Sequence, residues 1–215
     1  MKHTTTPLFG IPLFQTNLGA LNILTKTWLM NLEYPYQRTG HDGTDDDLDE
    51  GSKGMYILEK PQLKNLKNQI KDSIDYFTHE VLGVDDSVQF EISTSWANRY
   101  FGDEHVSKHS HLNSMISGVY YVETSKSTSP IIFEKAYSYT NLFHGTTSPG
   151  FKKTPGNQFN ANTHVIYPKP GDLLLFPSHL EHTVPESQSK DTRYSLAFNC
   201  FARGHMGFGT AQVNL

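Results

Sequence analysis

Cysteine is almost absent from this chain of 215 residues. The single Cys200 excludes an internal disulfide, and its place in the apolar run Leu196–Phe201 marks it as a small buried hydrophobe. An excess of charge of one sign is also lacking: 18 Lys and Arg stand against 22 Asp and Glu, a net charge of −4. No basic footprint for a nucleic-acid partner follows from that balance. Apolar runs of membrane-spanning length are missing, and Met1-Lys2-His3-Thr4 carries no apolar signal-peptide core. These absences lead to the expectation of a cytoplasmic protein with neither a nucleic-acid nor a membrane partner. The remaining composition, 36% hydrophobic and 19% charged, is that of an ordinary globular protein. The length suits one domain over residues 1–215, with a helical preface at about 18–83 and a β-rich core at about 88–203.

The pattern of what is present changes along the chain. Pro7-Leu8-Phe9 to Leu13-Phe14 reads as a short strand, and Leu21, Leu24, Trp28, Leu29 and Leu32 recur at helical spacing. Asp42 to Glu50 is an acidic loop that invites a calcium-loop reading. Counted from Asp45, however, Glu50 stands where the loop needs glycine and Tyr56 where it needs glutamate, so a solvated loop is expected. Pro61 can open a second helix, whose stripe is Leu63, Leu66, Ile70, Ile74, Phe77 and Val81, with Gly83 as the stop. After Asp86, short β-branched and aromatic segments take over: Phe90–Trp96, Ile116–Val122, Ile131–Glu134, His164–Tyr167, Asp172–Phe176 and Ser195–Phe201. Helices followed by strands predict a mainly β sandwich or barrel backed by helices. The connection from Lys135 to Thr163, rich in aromatics, is long enough to be a flap over a site.

Eleven histidines are the unusual count, and two of them are placed for chemistry. His109 and His111 are two apart in an extended segment just before a strand, so both rings can face one metal ion. A third ligand with open positions left over would complete a facial triad. His182, beyond the strand that ends Phe176-Pro177, supplies it. Arg193 follows eleven residues later, and Ser195 shares its face of the next strand. A hairpin would return this arginine beside the histidine. A guanidinium fork matches a carboxylate, and a serine hydroxyl adds a third donor, which together suit the far end of a 2-oxo dicarboxylic acid.

Taken together, Trp96-Ala97-Asn98, His109-Ser110-His111, Ser117-Gly118-Val119-Tyr120-Tyr121, Phe176-Pro177-Ser178, His182 and Arg193-Tyr194-Ser195-Leu196-Ala197-Phe198-Asn199 resemble a family of 2-oxoglutarate/Fe(II)-dependent oxygenases, similar to the prolyl hydroxylases and found in bacteria and bacteriophages. The resemblance implies a double-stranded β-helix (jelly roll, cupin-like) with supporting N-terminal helices. It also implies Fe(II) and 2-oxoglutarate as cofactor and cosubstrate, and O2 and a substrate, whether small molecule or protein side chain, as partners. A homodimer is left open. On this resemblance His182 is the distal histidine, Arg193 and Ser195 grip the far carboxylate, Tyr121 reaches the same carboxylate, and Tyr120 packs on the opposite face. The chain departs from the family at one place. Where the triad usually has Asp or Glu, this sequence has His111 if His109 is the first ligand, or Asn113 if His111 is. A neutral amide is a poor ligand for ferrous iron, so His109, His111 and His182 form the expected set. His179, His105, His144 and His164 are expected in loop, surface or structural roles.

The expected reaction is oxidation, in the first place hydroxylation, of an unidentified substrate with release of succinate and CO2. The competing readings are a three-histidine cupin-type dioxygenase that needs no 2-oxoglutarate, which Arg193 and Ser195 argue against, and a non-catalytic metal-binding β-sandwich module.

Overall fold

A computed structural model describes residues 4–6, 10–32, 34, 56–102, 104–135, 157, 159–187 and 189–215. Pro7–Phe9, the acidic loop, His144 and most of the 135–163 connection lie outside the described residues, so the flap expectation does too.

Two antiparallel sheets carry the architecture. The five-stranded sheet has the order β1 (Phe14–Asn17), β7 (Asp172–Pro177), β4 (Ile116–Glu123), β9 (Arg193–Arg203), β2 (Gln89–Tyr100). The four-stranded sheet has the order β3 (Val106–His109), β8 (His182–Val184), β5 (Ile131–Glu134), β6 (Thr163–Ile166). β10 (His205–Met206) and β11 (Val213–Asn214) form a small separate hairpin. From β2 to β9 successive strands cross between the two sheets, as in a jelly roll, except at the β5–β6 pair. β8 and β9 are a case in point: they belong to different sheets, so the link from His182 to Arg193 is a crossover and not the hairpin expected from its length.

Period-two alternation divides the side chains between two cores. On one side of the larger sheet Tyr120, Leu173, Leu175, Leu196, Phe198 and Cys200 pack against the helices. On the other side Val119, Tyr121, Leu174 and Phe176 meet Ile131, Phe133 and Ile166 of the smaller sheet. Each such burial stabilises the fold by about 1.5–3 kcal/mol. β4, between β7 and β9, is covered on both faces, which is why it reads as a near-continuous apolar run. Gly118 interrupts that run because a β-carbon there would lie 2.2 Å from the Phe198 ring.

The helices cover the outer face. α1 (Ile23–Met30) starts at Asn22, whose side-chain oxygen accepts from the Thr25 N–H. Its sheet-facing residues are Thr25 and Leu29, with Trp28 partly buried, whereas Leu24 is exposed, contrary to the expected stripe. α2 (Lys64–Asp75) is preceded by a 3-10 turn at Pro61–Leu63 and continues as a π turn over Tyr76–Val81. Its stripe is fully formed from Leu63 to Phe77, but Val81 is half exposed. The wider π turn shifts the register by one residue and swings Val81 off the buried face. No helix among the described residues is long and apolar enough to cross a membrane.

Candidate active site

Strand pairing assembles the histidines. β3 and β8 run antiparallel with His109 directly opposite His182, and their ring centroids are 4.3 Å apart. His111 lies two residues beyond the end of β3, its ring 5.1 Å from His109 and 5.2 Å from His182. One nitrogen from each ring lies within 4.8 Å of the other two, and no carboxylate joins the group among the described residues.

The tautomers follow from the hydrogen bonds. His109 Nδ1 is 2.9 Å from the Ser107 carbonyl oxygen, and His182 Nδ1 is 2.9 Å from that of Leu180. A carbonyl can only accept, so both Nδ1 atoms carry the proton and both Nε2 lone pairs are free for a metal. Burial pushes the pKa of His182 down to about 4, opposed by its bond to Leu180 and helped by His109. The rings of Phe176 and Phe133, 5.0 and 5.9 Å away, form that apolar bed. His111 is pushed down to about 3, first by burial and then by its two histidine neighbours. His111 and His182, neutral at pH 7, would release no proton on binding a metal.

One cleft of about 640 Å³ is lined by the three histidines together with Arg193 and Ser195. Arg193 is 3% exposed. Its Nη1 donates to the Ser129 carbonyl (3.0 Å), and the Tyr121 and Tyr100 rings flank the guanidinium at 5.0 and 5.5 Å. No carboxylate pairs with it among the described residues. Ser195 sits across from Asn98 on one side and Tyr121 on the other, so the three side chains share a face of the sheet. Buried polar atoms without a hydrogen-bond partner among the described residues gather here: Arg193 Nε, the Tyr121 hydroxyl, Ser129 Oγ and Asn98 Oδ1. Burial holds the Tyr121 pKa up at about 12, against the lowering pull of Arg193, so its hydroxyl stays a donor.

All six expected site residues are thus brought to one region: five line the cleft and Tyr121 lies beneath Arg193. Asn113 is exposed, adopts φ 55° in the turn before β4, and is not part of the cleft wall. His179 and His164 are exposed, and His105 stands at the rim with Glu186 3.9 Å away. The sequence reading gave no site role to Asn98, Tyr100, Ser129 or Asn199. For the first two a signal existed: Trp96, Asn98 and Tyr100 alternate along β2 opposite Ala197, Ser195 and Arg193. Ser129 lies in a loop and carried none.

Residues 94–199 match the model of a family described as "Putative 2OG-Fe(II) oxygenase". Over that stretch the chain is similar to the 2OG-Fe(II) oxygenases, which are oxidoreductases that use Fe(II) and 2-oxoglutarate. The fold is supported by a non-heme monooxygenase, ThoJ, solved as a nickel complex: TM-score 0.53 at 8% identity, covering 90% of this chain and 76% of that one. A Pseudomonas putida prolyl-4-hydroxylase matches with TM-score 0.49 at 12% identity over 88% of this chain and 92% of that one. A Burkholderia pseudomallei oxidoreductase of the 2OG-Fe(II) oxygenase family matches with TM-score 0.45 at 15% identity over 66% of this chain, which spans 57% of that protein. No curated protein matches. The residues present fit both groups: His109 and His182 have free Nε2 lone pairs beside a neutral His111, and the buried unpaired donors around Arg193 call for an anionic acceptor.

Proposed function

We propose that residues 1–215 form one oxygenase domain in which His109, His111 and His182 hold Fe(II), while Arg193, Ser195 and Tyr121 hold the far carboxylate of 2-oxoglutarate. The reaction is hydroxylation of a small molecule or a protein side chain. The observation that carries this reading is Arg193 itself: a buried guanidinium without a carboxylate partner among the described residues, in the same cleft as three clustered imidazoles. A buried charge is retained only where something pairs with it, and a dicarboxylic acid reaching from the histidines would do so.

When bound, the iron and 2-oxoglutarate supply the oxidising chemistry, coupling O2 to oxygenation of the substrate with release of succinate and CO2. The protein's own part is placement. The carbonyls of Ser107 and Leu180 fix two imidazoles with Nε2 forward. The flanking tyrosine rings and the Ser129 carbonyl hold the guanidinium fork in one orientation. Tyr121, protonated at neutral pH, donates to the carboxylate from below. Burial of Arg193, Ser195 and Tyr121 keeps water from competing for the carboxylate.

Calorimetric titration of the Mn(II)-loaded protein with 2-oxoglutarate tests the reading without turnover. Saturable one-to-one binding is expected. A protein that binds Mn(II) but shows no affinity for 2-oxoglutarate would sink it.

A further inference from the structure

The residues of the metal cluster come from two separate segments, and one buried serine ties these segments together. His109 and His111 lead into the turn before β4, and His182 follows the turn after β7. Ser178, 0% exposed, stands in that second turn. Its carbonyl accepts from the His111 N–H (2.9 Å), and its own N–H donates to the Met115 carbonyl (3.0 Å). Its hydroxyl lies 2.8 Å from both Ser114 Oγ and Ser117 Oγ. Ser117 donates to Asn199 Oδ1 (2.8 Å), so Ser117 is free to accept from Ser178. Ser114 is also within reach of the carbonyls of Ile116 and Cys200, at 3.1 and 3.2 Å. The network thus runs from the segment bearing His111, through Ser178 in the segment bearing His182, to β4 and to Asn199 on the cleft wall.

We propose that Ser178 is the positioning residue of the metal centre: its hydroxyl, held by Ser114 and Ser117, fixes the turn whose carbonyl sets the place of His111. The physical case is one of constraint. His109 and His182 are held by a strand pair and by their own Nδ1 bonds, whereas among the described residues the ring of His111 has no hydrogen bond of that kind and its backbone follows the end of β3. The bond to Ser178 is therefore what registers the third imidazole against the other two. A side chain that merely filled space there would not need three hydroxyls in line at 2.8 Å, since a buried hydroxyl is costly unless paired. The inference rests on the reading of His111 as a ligand.

The test uses the metal-free full chain titrated with Co(II) alone, followed by visible absorption, with no 2-oxoglutarate and no turnover. Ser178→Ala keeps the backbone bonds and removes the hydroxyl. Loss of a group that orients a ligand costs about 10- to 100-fold in metal affinity. That loss is expected here, with the Co(II) bands moving towards those of His111→Ala. Ser114→Ala is the milder second variant and should shift both in the same direction. Ser95→Ala is the control for general destabilisation: Ser95 is equally buried and accepts from the Leu58 N–H (3.0 Å), and it does not line the cleft. It should lower the melting temperature and leave Co(II) affinity and bands unchanged. Wild-type affinity and bands in both Ser178→Ala and Ser114→Ala would overturn the positioning role alone. Unchanged bands in His111→Ala would instead overturn the ligand reading, and this inference with it.

Discussion

Replacing Arg193 by alanine removes a charge-assisted fork whose only protein hydrogen bond among the described residues goes to a backbone carbonyl. Such contacts contribute about 1.5–3 kcal/mol, and each ~1.4 kcal/mol is tenfold in affinity. Arg193→Ala should therefore weaken 2-oxoglutarate binding to the Mn(II) protein by at least about tenfold while leaving Mn(II) affinity nearly unchanged, both read by calorimetry. Arg193→Lys should recover only part, because an ammonium keeps the charge without the fork or its stacking between two tyrosines. The histidines give a pH prediction of definite sign. His111 and His182 titrate at about 3 and about 4 in the folded apo protein, against 6.5 when unperturbed. As pH falls below 6.5 the unfolded chain takes up protons that the native state refuses, so stability is lost from there down to about 4 and then 3. Denaturant titrations of the apo protein at pH 7.5 and 5 should show lower stability at pH 5. The difference should shrink in His111→Asn and His182→Asn, which cannot titrate.

At the scale of elements, Gly118 makes the sharpest prediction. A methyl group there would meet the Phe198 ring at 2.2 Å and a Leu175 methyl at 2.8 Å, in a strand fixed on both sides. Overpacking of this kind costs about 1–3 kcal/mol, so Gly118→Ala should lower the denaturation midpoint visibly. The elements also show what can be read from sequence. Ile131–Glu134 was legible to the residue, and α2 was legible down to Phe77, because amphipathic period and burial coincide there. Val81 was not, since nothing in its spacing announces a π turn. β3 and β8 went unread because four and three residues give too little alternation, yet their pairing is what joins His109 to His182. The two-apart spacing made the histidines and the Arg193–Ser195 pair legible as local motifs. Ser129 and Ser178 are non-local contributions, visible only once turns distant in sequence meet.

For the molecule as a whole, the charges in the cleft decide how its two guests must bind. Among the described residues, no aspartate or glutamate lines it, and Arg193 is the one permanently charged side chain there. On the proposed reading, a divalent ion held by three neutral imidazoles would add two positive charges to a site that already holds one, with no protein anion among the described lining residues. Like charges at close range in a partly dry cleft repel by amounts that water would screen only in part. On the proposed reading, a 2-oxoglutarate dianion held between the histidines and Arg193 would be the compensating charge for both. Binding of metal and cosubstrate should then be strongly coupled, and by linkage the coupling is reciprocal. In calorimetric titrations, saturating 2-oxoglutarate should tighten Mn(II) binding by at least about tenfold, or ~1.4 kcal/mol of coupling, and Mn(II) should tighten 2-oxoglutarate binding by the same factor. Thermal unfolding should follow: either guest alone should raise the melting temperature little, and the pair should raise it by more than the sum. His111→Asp supplies the missing protein anion. It should bind Mn(II) more tightly than wild type in the absence of 2-oxoglutarate and show a smaller coupling factor. Equal Mn(II) affinity with and without 2-oxoglutarate in the wild-type protein would mean that charge in the cleft is balanced by something other than the cosubstrate.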